Sequence, residues 1–399
     1  MKTAVSTDSV LGRIVLMLGH VGGMLDLVVL PLWVGGLIGT YAFSPPEAGG
    51  LVTMFLVGVL ASNAVLSRRF GRLPNRTIVA AGYGIAAACF FLMTRVSPAA
   101  GTGIFSQLAV LHVVAGLGIG AGLSCVHGTI ARSRNPHRSF AIANLGVGVF
   151  AIAFFAATPP LMAKIGVNAV FLAIVGVLIA GTIAAALAFP EPEHAPPAAQ
   201  VSSRPLPSGG IGSALVLGFA GVVLWQTAQA LTNSFVERIG ISDGFALTTI
   251  GAMFAINGFV ALLAPALAGL TEKKLSPVMV ATGALILHGL CSLTLTRTGL
   301  FGVYTAAFML MIFVTIFGHT FVFGLFARLD PTGRMNARTP SMLMLGTAIG
   351  PFLGGTVVQA AGFPALGMTS ATIALGGAAC FFSIGRRAGR VAAPVRQAA

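Results

Sequence analysis

Long apolar runs, each closed by a short polar or basic stretch, recur along the whole chain. They lie at 11–38, 48–67, 77–95, 105–130, 140–163, 168–189, 211–235, 246–270, 276–295, 300–327, 339–361 and 364–385. A hydrocarbon core about 30 Å thick needs about 20 apolar helical residues to cross it, and each run is of that order. The pattern predicts an all-α membrane protein with twelve transmembrane helices. The first run is too long for a signal-peptide core and reads as a retained helix. The interruption at 190–210 holds six prolines together with Ser and Gly, cannot contribute to a packed core and reads as a linker. The expected organisation is therefore an N-terminal six-helix bundle over 1–189, a linker over 190–210, and a C-terminal six-helix bundle with a tail over 211–399.

Composition makes the membrane obligatory. Of 399 residues, 56% are apolar and only 8% charged, against roughly 25% charged in a soluble protein. Mean hydropathy is +0.95. The 52 glycines suit helices that pack closely without water to drive them together.

Charge then orients the spans. Lys2, Arg13, Arg68, Arg69, Arg72, Arg76, Arg132, Arg134, Arg138, Arg204, Lys273, Lys274, Arg328, Arg334, Arg338, Arg386, Arg387, Arg390 and Arg396 fall on one side of the predicted membrane. Only Arg95, Lys164, Arg238 and Arg297 fall on the other, a division of 19 to 4. By the positive-inside rule the richer side is cytoplasmic, so both termini and the linker are expected there, in an inner (plasma) membrane. The net charge of +14 is thus a topology signal, and nucleic acid is not an expected partner. Cys89, Cys125, Cys291 and Cys380 all sit in apolar runs without a C-x-x-C pair and read as small buried residues.

Several chemistries find no support. Metal-ligand spacing and a phosphate-binding G-x-x-x-x-G-K-[ST] loop are missing, so neither a metal nor a cofactor is expected. No Lys or Arg occupies the middle of a span to hold a polyanion. One embedded carboxylate is too few for membrane hydrolysis. An enzyme is not expected.

The halves look like repeats at an offset of about 200 residues. Arg138 followed by Leu145-Gly146 recurs as Arg338 followed by Leu345-Gly346, and ARSRNPHR resembles ARLDPTGR in shape. With the six-plus-six split, this resembles the major facilitator superfamily over nearly the whole chain. Local motifs add to the resemblance. The family's G-x-L-A-D-R-x-G-R loop after the second helix is matched by Leu66, Arg69, Gly71 and Arg72, with Ala64 and Arg68 replacing the Gly and Asp. In the family this loop is a cytoplasmic latch, and Arg68 reverses a charge within it. The fourth helix resembles R-x-x-x-G-x-G, with His112 in place of the Arg, then Gly116 and Gly118. The family's antiporter motif G-x-x-x-G-P-x-x-G-G is missing from the fifth helix. It stands on the eleventh as Gly346, Gly350, Pro351, Gly354 and Gly355, where Pro and Gly imply a kinkable, closely packed helix.

Embedded polar residues are costly in hydrocarbon and point to function. Asp26 is the only carboxylate placed well inside a predicted span, where an Asp costs about 2.5–3.5 kcal/mol. It must face a cavity, pair, or be protonated; the alternative is a structural hydrogen bond. His20 lies six residues earlier, about 240° around a continuous helix, so His112 is the expected partner of Asp26 in proton coupling. His319 is a second candidate, His288 reads as structural and His127 as solvated. On the seventh helix Gln226, Gln229 and Asn233 share a face at i, i+3, i+7 beside Trp225. That face suits hydrogen bonding to a substrate with an aromatic surface alongside, or helix–helix adhesion. The resemblance implies that the first, fourth, seventh and tenth helices line a central cavity, which assigns Asp26, His112, the Gln226 face and His319 to its walls.

The expected function is that of a secondary active transporter, monomeric, moving a small organic solute through the bilayer by alternating access with proton coupling. Efflux antiport is the alternative direction. A non-transporting receptor or scaffold on the same fold is the alternative of another class.

Overall fold

The computed structural model describes residues 5–67, 74–99, 103–190, 210–330, 335 and 338–391. Thirteen helices account for nearly all of them: α1 (Val10–Gly23), α2 (Asp26–Tyr41), α3 (Pro45–Ser67), α4 (Asn75–Met93), α5 (Ile104–Ala131), α6 (Pro136–Ile165), α7 (Asn168–Ala188), α8 (Gly210–Asn233), α9 (Val236–Ser242), α10 (Leu247–Thr271), α11 (Pro277–Leu295), α12 (Phe301–Leu329) and α13 (Thr339–Val391). Eleven helical segments among the described residues are long and apolar enough to cross a membrane. The last, Thr339–Arg386, runs for 48 residues and is two spans in series. Gly362 breaks it with φ of 75° and ψ of −178°, a conformation open to glycine. The protein is a multi-pass membrane protein.

Helix boundaries follow local chemistry. Ser9 caps α1 by accepting from the Gly12 N–H at 3.0 Å, and Asn135 caps α6 by accepting from the Arg138 N–H at 3.1 Å. Before α3, Glu47 accepts from both the backbone N–H and the hydroxyl of Ser44, at 2.8 and 2.7 Å.

Two predicted spans are discontinuous. The first breaks at Met24–Leu25, dividing it into α1 and α2, and the seventh breaks between Asn233 and Val236 and continues to Ser242 as α9. The expected single helices over 11–38 and 211–235 are corrected accordingly.

The chain forms two compact units. Unit 1 comprises Met1–Ala199 with Asn233–Phe259 and Pro351–Ala360; unit 2 comprises Gln200–Thr232, Val260–Gly350 and Ala361–Ala399. Inside unit 1, α5 lies between α3 and α4 by backbone-close contact. A Cβ on Gly116 or Gly120 would overlap the carbonyls of Phe55 or Val59, and one on Gly118 would overlap that of Gly82. The fourth-helix glycines are thus packing surfaces facing two different neighbours. Unit 2 is centred on Trp225, Leu285, Phe326 and Phe381, all fully buried.

Candidate functional site

The break in the first span delivers Asp26 to the N-terminus of α2. Its carboxyl group lies against the backbone N–H groups of Asp26 itself and Leu27, at the positive end of the half-helix. The residue is 5% exposed. The turn before it is held from α4 and α5. The Tyr83 hydroxyl donates to the Gly19 carbonyl at 2.5 Å, and Gly23 packs on Leu123 and the Tyr83 hydroxyl. In a membrane the start of a broken helix favours a negatively charged or hydrogen-bond-accepting group through its N–H groups and dipole, and Asp26 occupies such a start.

His112 is fully buried, but not at Asp26. Its Nδ1–H donates to the Leu108 carbonyl at 2.7 Å, and its Nε2 has no hydrogen-bond partner. The ring stacks on Trp33 at 5.4 Å and meets the edges of Phe90 and Phe171 at 6.3 and 6.4 Å. Trp33 lies seven residues beyond Asp26, about 10 Å along α2. An α2 aromatic ring, not the carboxylate, is what His112 touches.

Sequence reasoning missed a cluster nearby in unit 1. His20 Nδ1 and His127 Nε2 are 3.0 Å apart, and His20 Nε2 is 3.2 Å from Asn144 Oδ1. An amide oxygen only accepts, so His20 donates through Nε2, and in the neutral pair its Nδ1 accepts from the Nε2–H of His127. His127, expected to be solvated, is instead half-buried and bonded. The partners lie 107 and 124 residues from His20, a separation that no spacing rule reads.

In unit 2 the Gln226 amide N–H donates to Thr347 Oγ1 at 3.0 Å, and the Thr315 hydroxyl stands 3.3 Å from Gln229 Oε1 and 3.2 Å from His288 Nδ1. Both amides of the predicted face therefore tie α8 to neighbouring helices while remaining 7% and 8% exposed. A double-mutant cycle on Gln226→Leu and Thr347→Val is expected to give a coupling of about 0.6 and at most about 1.7 kcal/mol in thermal unfolding, the range for polar contacts between membrane helices. Gly346 and Gly350 bring α13 onto the same helix, a Cβ there falling 2.6 Å from the Gln226 Cβ and 2.5 Å from the Ala230 Cβ. Gly354 is buried beside them in sequence.

His319 stands 4.7 Å from the Trp225 ring and lies parallel to Phe323 at 5.7 Å. Trp225 Nε1 and His319 Nε2 both lack a hydrogen-bond partner. Trp225 is part of the packed core rather than an open aromatic surface. A Trp–His pair with unspent nitrogens thus occurs in each unit, Trp33 with His112 and Trp225 with His319.

Asn233 belongs to unit 1 and closes α8, 8% exposed. Four residues on, Glu237 corrects the expectation of one embedded carboxylate. It is 2% exposed on α9, inside an apolar segment that runs from Gly212 to Ser242. Its position escaped notice because the apolar run ends at Phe235 in the sequence and resumes only through the fold. Leu66 is half-exposed near the end of α3; Arg69, Gly71 and Arg72 lie outside the described residues, as does the linker between its two ends. Among the described residues no His, Cys, Asp and Glu group could hold a metal ion.

Solved structures share this fold. A bacterial homolog to the human lysosomal transporter Spinster aligns with 94% of this chain and 96% of its own, at a TM-score of 0.70 and 14% identity. A D-xylose–proton symporter aligns with 93% of this chain and 97% of its own, at 0.72 and 15% identity. The nucleoside transporter NupG aligns with 95% and 99%, at 0.67 and 14% identity. Comparison with curated proteins finds no sequence match. The family model for the Major Facilitator Superfamily matches residues 16–329, and with its long apolar helices sharing the fold of these transporters the chain belongs to the Major Facilitator Superfamily.

Proposed function

We propose that this protein is a secondary active transporter for a small organic solute, coupled to protons through Asp26. The observation that carries the reading is the placement of Asp26. It is a nearly buried carboxyl group at a helix break in an apolar span, with backbone N–H groups as its close polar neighbours. Such a position costs stability, and ionisable groups kept at that cost inside a membrane mostly mark functional sites. Gln226, Gln229 and Asn233 supply neutral hydrogen-bonding groups, suited to an uncharged or weakly charged polar solute. His319 joins them as a solute contact, and His112, with Nε2 unspent, is the second proton-handling group. The distribution of basic loops supports a topology with both termini at the cytoplasmic face of an inner membrane, and the proposed working unit is a monomer.

The solute is found by thermal stabilisation of purified protein against sugars, nucleosides and organic acids, including aromatic ones. A true ligand at 100 times its Kd is expected to add about 2.7 kcal/mol. Flux in proteoliposomes with that ligand then decides between uptake with protons and efflux against them. Protein that binds the ligand but carries no flux would point to the receptor reading instead.

A further inference from the structure

We propose that Glu237 is a further proton-binding group, separate from Asp26 and His112, which locks α9 onto α2 when protonated and releases it when ionised. The proposal rests on the transporter reading for its purpose, but the lock itself is a property of unit 1.

The geometry is specific. On α2, Gly35, Gly36 and Gly39 make a small-residue groove in the sequence GGLIG. Glu237 projects from α9 into that groove, so that a Cβ on Gly35 would overlap its carboxylate. Its Oε2 is sealed and has no hydrogen-bond partner. Gly36 faces Val167 and Met162, at 2.8 and 3.2 Å from its Cβ position, closing the apolar wall. An ionised oxygen without a donor is strongly disfavoured in such a place, whereas a neutral carboxylic acid fits it at far lower cost.

The charged and titratable neighbours are few. Arg238, half-exposed on the same turn, is the charge that acts on Glu237. Its Nη1 rests 3.8 Å from the Cβ position of Gly39, and no salt bridge joins the two residues among the described ones. On α2 the titratable groups are Asp26 and Tyr41. Asp26 is nine residues from Gly35, about 13 Å along the axis and about 180° around it, so the two carboxyls do not exchange a proton directly. Lys164, at the end of α6, is exposed. When α9 lifts from the groove, Glu237 gives its proton to water and becomes a carboxylate; when it reseats, it takes one proton back. On the predicted topology α9 lies at the non-cytoplasmic face, so the lock would make opening of that face depend on proton concentration there.

The test needs no solute. Spin labels at Ala42→Cys and Ser242→Cys, with the four native cysteines replaced by alanine, report the α2–α9 separation in full-length protein by double electron–electron resonance. With Glu237 present, the long-distance population is expected to grow at least threefold between about pH 5 and about pH 8. Glu237→Gln, a permanently neutral mimic, is expected to hold the short distance across that range. Gly35→Ala, which fills the seat, is expected to hold the long one, and this variant keeps the idea testable if the glutamine variant fails to fold. A distance that ignores pH with Glu237 present, or a pH response that survives Glu237→Gln, overturns the proposal. Absence of solute flux in the same preparation would count against the transporter reading alone.

Discussion

Asp26→Asn is expected to abolish gradient-driven accumulation of the solute while leaving solute exchange intact. The magnitude follows from the coupling itself. With one proton moved per solute, each pH unit across the membrane sustains about a tenfold concentration ratio, since about 1.4 kcal/mol is tenfold in an equilibrium. In the Asn variant that ratio should fall to one at any imposed gradient. Asn keeps the size of Asp and can still meet the N–H groups at the start of α2 through its amide oxygen, so the half-helix geometry survives. Counterflow of labelled against unlabelled solute should therefore persist. The measurement is paired: accumulation against a pH gradient, and counterflow without one, in the same proteoliposomes. Accumulation at the unsubstituted level in Asp26→Asn would remove this residue from coupling and shift attention to His112 or Glu237. Antiport changes the direction in which the gradient must be imposed but not the expected loss.

Gly116→Val and Gly120→Val are expected to be the most damaging single changes to the fold outside the polar sites. Both glycines press their Cα face onto the backbone of α3, at the carbonyls of Phe55 and Val59. Gly58 returns the contact from the other helix, its Cβ position 2.7 Å from the Val113 carbonyl and 3.0 Å from the Leu117 nitrogen. Backbone cannot swing aside as a flexible side chain can, so the helices must separate along the crossing. Overpacking of this kind costs about 1–3 kcal/mol per site and sometimes more. Thermal unfolding in detergent should show a lowered midpoint for each variant and, for the pair together, poor recovery of folded protein. Gly176→Val is the matched control, because the Cβ position there has nothing within 4 Å; a loss there equal to that at Gly116 would mean that the crossing is not the cause.

The sequence carried the spans well because a span is decided locally. About 20 apolar residues in a row must leave water whatever surrounds them, and Gly166, Gly244 and Gly362 mark ends or breaks through positive φ. The eleventh-helix glycines were legible for a similar reason, since spacing of i and i+4 puts Gly346 and Gly350 on one face. Spacing also placed Gln226 and Gln229 on a shared face, but it could not tell that each amide is engaged with a threonine from another helix. The pairing of Asp26 with His112 shows the same limit. Both residues were correctly picked as buried, yet Trp33 stands where the carboxylate was expected.

Glu237 is the sharpest case. By composition it sits just past the end of an apolar run, beside Arg238, and reads as part of a solvated loop. The fold extends the span through α9 and sets the carboxylate against Gly35, some 200 residues away in the chain. What the amino-acid order settled by itself is that the chain is built of many membrane-spanning helices, and the family they belong to, because hydropathy and short-range spacing act within one segment. What only tertiary structure decided is where two of those helices break and which buried polar groups have partners. Those outcomes depend on contacts between segments a hundred or more residues apart, whose energies no local pattern contains.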